Sequence, residues 1–197
     1  MREVELKGVV PDERATRDRL EGAGATLVFE GELSDRRYDA PGRPLTACDH
    51  VLRLRVERAH GWERGVVAFK GPASLDGDYK VREELATVVE HPDAMHEILV
   101  SLGYAVTREI DRDVAVYALH GAVVRFERYP RMDVLVEVEG DPQAIERAIG
   151  LLGIPRAHFT SAALSLFVRD FEGRTGQRAA ICRRELSGDF RFQLDDA

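Results

Sequence analysis

Five short segments of the sequence carry charged residues at every second position, and together these segments present both signs of charge. The first is Glu3-Val4-Glu5-Leu6-Lys7, in which two apolar residues separate three charged ones. The same spacing recurs at Arg53 and Arg55, at Lys80, Arg82 and Glu84, at Arg125 and Glu127, and at Glu137 and Glu139. Carboxylates bind Mg²⁺ or Mn²⁺ through oxygen, whereas guanidinium groups bind phosphate oxygens in forked pairs. A surface that combines both residue types suits a complex of a divalent metal with a polyphosphate.

The elements that must position these charges are predicted to be strands, because a period of two places alternate residues on one face. Strands are predicted at 2–9, 50–58, 64–71, 79–90, 113–119, 121–128 and 133–139, and helices at 12–22, 92–102, 142–152 and 160–170. This order favours an α+β fold with a largely antiparallel sheet. For any one strand, a solvated outer face explains the charges equally well. If the sheet curls, however, the five charged faces converge on one interior.

Length and composition indicate one globular domain. The chain has 197 residues, of which 44% are hydrophobic, enough to bury a core. Residues 1–172 are predicted to form the domain, and residues 173–197, which show little periodicity, are predicted to form a loosely attached C-terminal tail. No apolar run approaches the roughly 18 to 20 residues that cross a bilayer, so we expect no membrane insertion.

Charge and cysteine usage restrict the partners and the compartment. The formal net charge of −7 argues against general nucleic-acid binding by bulk electrostatics. Cys48 and Cys182 lie far apart and form no metal-binding spacing, so we expect free thiols in a reducing compartment. The N-terminus has no basic region followed by an apolar one, which makes a cleaved signal peptide improbable. The protein is therefore expected to be cytoplasmic.

Ordered motifs along the chain resemble the CYTH family, also called triphosphate tunnel metalloenzymes. The family's ExExK signature is matched by Glu3, Glu5 and Lys7. Further matches follow in the family's order: Tyr38-Asp39-Ala40-Pro41, Asp49 ahead of Leu52-Arg53-Leu54-Arg55, Phe69-Lys70-Gly71-Pro72, Arg82-Glu83-Glu84, Leu102-Gly103-Tyr104 and Glu137-Val138-Glu139. The resemblance covers roughly residues 1–170. It implies an eight-stranded antiparallel β-tunnel with flanking helices.

The resemblance also implies roles for individual residues. Glu3, Glu5, Glu127, Glu137 and Glu139 are the expected metal ligands, with Mg²⁺ or Mn²⁺ as the expected ion. The basic residues Lys7, Arg53, Arg55, Lys70, Lys80, Arg82, Arg108, Arg112 and Arg125 are expected to bind the triphosphate. Glu5, Lys7, Glu84 and Glu137 are the expected catalytic residues, Glu84 by positioning a basic neighbour or a water.

Three functions are compatible with this reading. The first is a class IV adenylyl cyclase-like reaction that converts ATP to cyclic AMP and pyrophosphate, which the branch resemblance slightly favours. The second is a triphosphatase acting on thiamine triphosphate, a nucleoside triphosphate or inorganic tripolyphosphate. The third is a non-catalytic module that binds a polyphosphate, against which the intact acidic set argues. A homodimer is expected by family analogy alone.

Overall fold

Antiparallel strands make up most of the protein in this computed structural model, which describes residues 2–188 and 190–192. The strands are β1 (Arg2–Val9), β2 (Thr26–Asp39), β3 (Val51–Ala59), β4 (Trp62–Lys70), β5 (Ser74–Asp76), β6 (Tyr79–Val89), β7 (Ala105–Leu119), β8 (Ala122–Arg128), β9 (Leu135–Glu139) and β10 (Phe159–Thr160). The helices are α1 (Glu13–Gly22), α2 (Pro44–Ala47), α3 (Pro92–Ser101), α4 (Pro142–Leu152) and α5 (Leu164–Thr175). Single 3₁₀ turns cover Arg156–His158 and Arg183–Ser187.

Eight of the strands close into a barrel. They run in the order β1-β9-β8-β7-β2-β3-β4-β6, and pairing of β1 with β6 completes the circle. The short strand β5 pairs alongside β6, and the short strand β10 pairs alongside β1. All the pairings are antiparallel. The predicted α+β fold with an eight-stranded antiparallel tunnel and flanking helices is therefore confirmed.

The barrel's outer face is covered by helices on two sides. Apolar residues of β1, β7, β8 and β9 pack against Leu20 of α1 and Ile145, Ile149 and Leu152 of α4. Helix α3 packs on β3 and β4 through Leu99. Because the apolar residues that alternate along β1, β8 and β9 face these helices, the charged residues between them point inward.

Local signals explain why the covering helices form where they do. Helix α4 begins after Asp141, whose carboxylate accepts hydrogen bonds from the backbone N–H groups of Gln143 and Ala144, both at 3.0 Å. Pro142 occupies the first turn, where its missing N–H is not needed. Gly153 ends the helix with φ of 72°, a conformation in which a side chain would be strained. Its bounds match the predicted 142–152.

Helix α5 closes one end of the barrel. Val9, Ile110 and Leu135 continue the inward-facing positions of β1, β7 and β9, but they are apolar. They pack in one cluster with Phe167 and Phe171 of α5. The helix begins four residues later than the predicted 160–170 because Thr160 pairs with Lys7 in β10. An apolar plug therefore bounds the charged interior at this end.

The described part of the predicted C-terminal tail is packed against the barrel. Ala180 forms a two-way backbone bridge with Arg131, and the Asp111 N–H donates to the carbonyl of Ile181 at 2.8 Å. Glu185 is 3% exposed, and its carboxylate accepts a hydrogen bond from the Ile181 N–H at 2.8 Å. Loose attachment is therefore wrong for residues 179–185, because their burial and hydrogen bonds hold them in place. Asp189 and residues 193–197 of the predicted tail lie outside the described residues.

Two further properties bear on the sequence predictions. Cys48 is exposed, Cys182 is buried, and the two thiols are not bonded to each other or to another cysteine of the described chain. Among residues 2–188 and 190–192, none of the helices combines the length and apolar character that crossing a bilayer requires.

Candidate functional site

The barrel encloses a cavity of about 610 Å³, and most of the residues that line it are charged. All eight barrel strands contribute side chains to it. The charged residues that line it are Glu3, Glu5, Lys7, Asp35, Arg37, Asp49, Arg53, Arg55, Lys70, Lys80, Arg82, Glu84, Arg112, Arg125, Glu127, Glu137 and Glu139. With nine cationic and eight anionic side chains on its wall, the cavity is nearly neutral when all of them are ionised. It can therefore take up a metal and an anion together.

Nearly every residue predicted for the site lines this cavity. The exception is Arg108, which is 1% exposed and whose guanidinium carbon lies 5.9 Å from the centre of the Phe192 ring. The lining residues that were absent from the prediction include three charged ones, Asp35 and Arg37 on β2 and Asp49 before β3, and one tyrosine, Tyr129 after β8. Asp35 and Arg37 were not predicted as site residues because β2 lacks a regular apolar alternation. Their spacing of two, next to the Tyr38-Asp39 motif, is the signal that could have found them.

The strand register places opposite charges across from one another over much of the interior. Glu3 pairs with Arg82, and Glu5 pairs with Lys80, between β1 and β6. Asp35 of β2 lies opposite Arg55 of β3. Opposite charges in directly facing cross-strand positions stabilise a sheet, whereas like charges destabilise it. Such pairs make the charged wall compatible with a stable barrel.

Among the residues that point into the barrel, like charges face each other at two places. On β1 and β9, Glu5 lies directly opposite Glu139. On β2, Arg37 lies between Arg53 of β3 and Arg108 of β7. Strand β2 is the fourth neighbour of β1 in both directions around the barrel, so the acidic pair and the basic row lie on opposite walls.

Of the two carboxylates in the acidic pair, Glu139 has fewer positively charged partners than Glu5. No ion pair or hydrogen bond to its side chain occurs among the described residues, whereas Lys80 Nζ lies 2.6 Å from Glu5 Oε1. Burial raises the pKa of Glu139 to about 7, and repulsion from Glu137, Glu3 and Glu5 adds to this, although Arg125 acts in the opposite direction. A divalent cation would relieve this concentration of negative charge.

In the basic row, Arg37 lies between two other arginines. Burial lowers the pKa of Arg37 to about 10, and repulsion from Arg108, Arg53 and Arg82 contributes, against attraction to Asp35. A guanidinium ordinarily keeps its charge at any pH at which proteins fold. Its lowered pKa therefore marks a wall on which an anion would bind favourably.

Lys7 and Glu137 form the centre of a buried ion-pair network next to the acidic pair. Lys7 Nζ lies 2.8 Å from Glu137 Oε2, and Arg125 donates to the other oxygen of Glu137. Burial opposes the charge of Glu137, but attraction to Lys7 and Arg125 holds its pKa well below the ordinary value. Burial likewise opposes the charge of Lys7, and Glu137 and Glu127 raise its pKa well above the usual range. Both groups stay ionised at neutral pH.

Glu127 is held by neighbours on both of its oxygens. The Tyr129 hydroxyl donates to Oε2 at 2.8 Å. Arg112 Nε lies 2.8 Å from Oε1, as an ion pair whose N–H is not aligned for a hydrogen bond. Lys7 Nζ lies 3.6 Å from Oε2. With 1% of its surface exposed, Glu127 has little access to the cavity in this arrangement.

Glu84 connects two of the predicted phosphate-binding residues. Its oxygens lie 3.1 Å from Lys70 Nζ and 3.3 Å from Arg53 Nη2. Burial opposes its charge, but Lys70 and Arg53 outweigh burial and lower the pKa of Glu84. Lys70 also donates to both oxygens of Glu3, at 2.8 and 2.6 Å. At neutral pH, therefore, Glu84 is an ionised partner of basic residues.

The donor chemistry of the acidic pair fits Mg²⁺ or Mn²⁺ without a preformed protein cage. Among the described residues, no group of three or more His, Cys, Asp or Glu side chains is placed to hold a metal. Mg²⁺ characteristically binds through one or two carboxylates together with substrate phosphates and water. Glu5 and Glu139, with Glu3 one position along the same face, are suited to that role, while phosphate oxygens would complete the coordination.

Comparison with known proteins gives a consistent result. The family model described as the CYTH domain matches residues 1–142. A Methanocaldococcus jannaschii protein named "Putative adenylate cyclase" is 24% identical over 139 residues, which are 71% of this chain and 77% of that protein.

Solved structures share the barrel. A structure titled as a "putative adenylate cyclase" from Vibrio parahaemolyticus superposes with a TM-score of 0.71 at 22% identity, covering 85% of this chain and 97% of that chain. A second structure, from Hippeastrum, has a TM-score of 0.60 at 17% identity and covers 89% of this chain and 96% of that chain. Its title describes a "putative adenylyl cyclase" with a dominant triphosphatase activity. At these identities the likeness shows the fold.

Proposed function

The chain belongs to the CYTH family, and we propose from this premise that it is a divalent-metal-dependent enzyme that acts on a triphosphate inside its tunnel. The observation that carries the proposal is the pair of like-charge clusters on opposite walls. Glu5 faces Glu139 on one wall, and Arg37 lies between Arg53 and Arg108 on the other. A metal bound to the first wall and phosphates bound to the second would neutralise both.

The roles follow from the contacts of each residue. We assign the metal to Glu5 and Glu139, with Glu3 and Glu137 next to them. Glu127, also predicted as a ligand, is less suited because it is the most buried of the five predicted metal ligands, with 1% of its surface exposed. The metal, when bound, would offset phosphate charge and lower the pKa of the attacking hydroxyl or water.

Phosphate binding is assigned to the cationic wall. The guanidinium groups of Arg53, Arg55 and Arg112 come from β3 and β7, the two strands that flank β2, and would bind phosphate oxygens in forked pairs. Lys7, fixed by Glu137, would hold an oxygen near the metal. The carboxylates hold these cations in place before substrate binds. The cations would therefore already be positioned to stabilise the negative charge that develops during phosphoryl transfer.

Two reactions use this arrangement. Cyclisation of ATP to cyclic AMP and pyrophosphate is the first, and the names of the Methanocaldococcus and Vibrio relatives support it. Hydrolysis of a triphosphate is the second, and the wall itself supports it. The cavity is lined by one aromatic residue among those described, Tyr129, and its hydroxyl is bound to Glu127. The cavity therefore offers more binding groups to a phosphate chain than to a nucleotide base.

The test is incubation of the protein with ATP, thiamine triphosphate or tripolyphosphate and Mg²⁺ or Mn²⁺, with separation of cyclic AMP, pyrophosphate and orthophosphate. Cyclic AMP together with pyrophosphate identifies the cyclase, whereas orthophosphate without cyclic AMP identifies the triphosphatase. Glu5→Gln should abolish either reaction. Glu97→Gln is the matched control, because Glu97 is exposed on α3. Binding of tripolyphosphate with no turnover would refute the enzyme and leave a binding module.

A further inference from the structure

Asp35 is a buried carboxylate that belongs neither to the acidic pair nor to the predicted metal set. It lies in β2 on the basic wall and is 2% exposed. Its direct cross-strand partners are Arg55 on β3 and Ile110 on β7. A carboxylate at such a depth is costly unless it is paired and hydrogen-bonded. Its partners must therefore account for its presence.

Three arginines surround Asp35. Arg55 donates from Nε to Oδ1 at 2.7 Å and from Nη2 to Oδ2 at 2.9 Å, a two-point contact that fixes the plane of the guanidinium. Arg112 donates from Nη2 to Oδ2 at 3.2 Å. Arg53 Nη1 lies 3.8 Å from Oδ2. Burial opposes the charge of Asp35, but Arg55, Arg112 and Arg53 hold its pKa well below the ordinary value.

The contacts leave one edge of each main partner for a ligand. Asp35 uses Nε and Nη2 of Arg55, and Nη2 of Arg112. Among the described residues, Nη1 of neither arginine donates a hydrogen bond. Both arginines line the cavity. Arg112 also joins Asp35 to Glu127, and through it to Lys7, so that one chain of contacts links the two walls.

We propose that Asp35 is a positioning residue for phosphate: it orients Arg55 and Arg112 so that their remaining N–H groups bind a polyphosphate. The inference rests on the proposed function, because it takes the tunnel to be a phosphate site. It deepens that function by dividing the carboxylates by role. Those of β1 and β9 serve the metal, and Asp35 serves the arginines.

Simple charge competition predicts the opposite effect. If Asp35 merely competed with phosphate for the arginines, neutralising it would free them and add net positive charge, so phosphate would bind more tightly. If Asp35 positions them, neutralising it lets the guanidinium groups turn away and phosphate binds more weakly. Loss of a residue that orients a metal ligand typically costs about 10- to 100-fold in affinity, and we take the same range for a residue that orients a phosphate-binding arginine. The sign of the change therefore decides between the two roles.

The experiment is calorimetric titration of the full chain with tripolyphosphate in the absence of metal. Asp35→Asn should weaken binding by about 10- to 100-fold. Asp113→Asn, an equal charge change at an exposed position of β7, should leave binding nearly unchanged. In a double-mutant cycle with Arg55→Lys, the combined variant should bind little worse than either single variant, because both changes disable the same contact. Unchanged or tighter binding by Asp35→Asn, or additive losses, would overturn the proposal.

A second variant distinguishes a loss of positioning from misfolding of Asp35→Asn. Asp35→Glu retains the buried negative charge but moves the carboxylate by one methylene, so it should fold and still bind tripolyphosphate more weakly. Wild-type affinity in this variant would count against positioning. The two proposals also fail separately. If the wild type binds tripolyphosphate without turning it over, the proposed enzymatic activity is refuted but the proposed role of Asp35 is not. If the wild type does not bind tripolyphosphate, the proposed role of Asp35 is refuted.

Discussion

Replacing Glu139 by glutamine should stabilise the metal-free protein at pH 8 and change its stability little at pH 5. Glu139 has no ion-pair partner within the described chain and lies opposite Glu5. Burial, with repulsion from nearby carboxylates and against attraction to Arg125, raises its pKa from the ordinary 4.5 to about 7. Glutamine has similar size and cannot ionise, so it imitates the protonated carboxyl.

The sign and size follow from linkage. The folded state binds the Glu139 proton more tightly than the unfolded state, so the stability this provides is complete below pH 4.5 and is lost as the pH rises through about 7. The difference between a pKa of 4.5 in the unfolded state and about 7 in the folded state corresponds, at about 1.36 kcal/mol per pH unit, to a loss of folding free energy on the order of 3 kcal/mol at most. The wild type should lose this amount, and the Glu139→Gln variant should not.

Urea unfolding of both proteins at pH 5 and pH 8 measures the effect, taken as the difference between them at each pH so that other titrating groups cancel. Glu97→Gln, on the exposed side of α3, controls for the change in net charge. Mn²⁺ should then stabilise the wild type at pH 8 more than the Glu139→Gln variant. Equal free energies of unfolding for the two proteins at both pH values would refute the electrostatic account of Glu139.

Two other changes test the interior and the barrel. Glu137→Gln should abolish turnover and lower the free energy of unfolding by about 3 to 5 kcal/mol, because Lys7 and Arg125 lose the buried carboxylate that they share; an unchanged urea midpoint would contradict this. Gly31→Ala in β2 should lower the melting temperature, since the new Cβ would lie 2.1 Å from the Arg58 carbonyl oxygen, whereas Gly22→Ala meets nothing within 4 Å. Equal melting temperatures for these two alanine variants would rule out a tight approach of β2 to β3.

The strands with strict alternation were predictable from the sequence, because a half-buried strand repeats its environment every two residues. Strand β1 matches the predicted 2–9, and β8 differs from the predicted 121–128 by one residue. Strand β2 was not predicted. Its register shifts twice, and its buried positions include Asp35 along with Leu33, so apolar periodicity is absent from it. The first half of β7 was missed for the same reason, since Arg108 and Arg112 are buried there with Ile110.

The sequence by itself determined the residue types of the site and the side of each strand on which they lie. Alternation places Glu3, Glu5 and Lys7 on one face whatever the strand pairs with. The family's ordered motifs added the closed tunnel, which the structure confirms.

Only the tertiary structure decided which charges meet. Glu5 opposite Glu139, and Asp35 against Arg55, depend on the register between strands that are distant in sequence. Local periodicity specifies the face of a residue but not its partner, because register is set by packing and turns over the whole barrel. Within the described part of the chain, the same register leaves Glu139 without an ion-pair partner and surrounds Asp35 with three arginines. Two carboxylates that look alike in the sequence thereby acquire different proposed tasks.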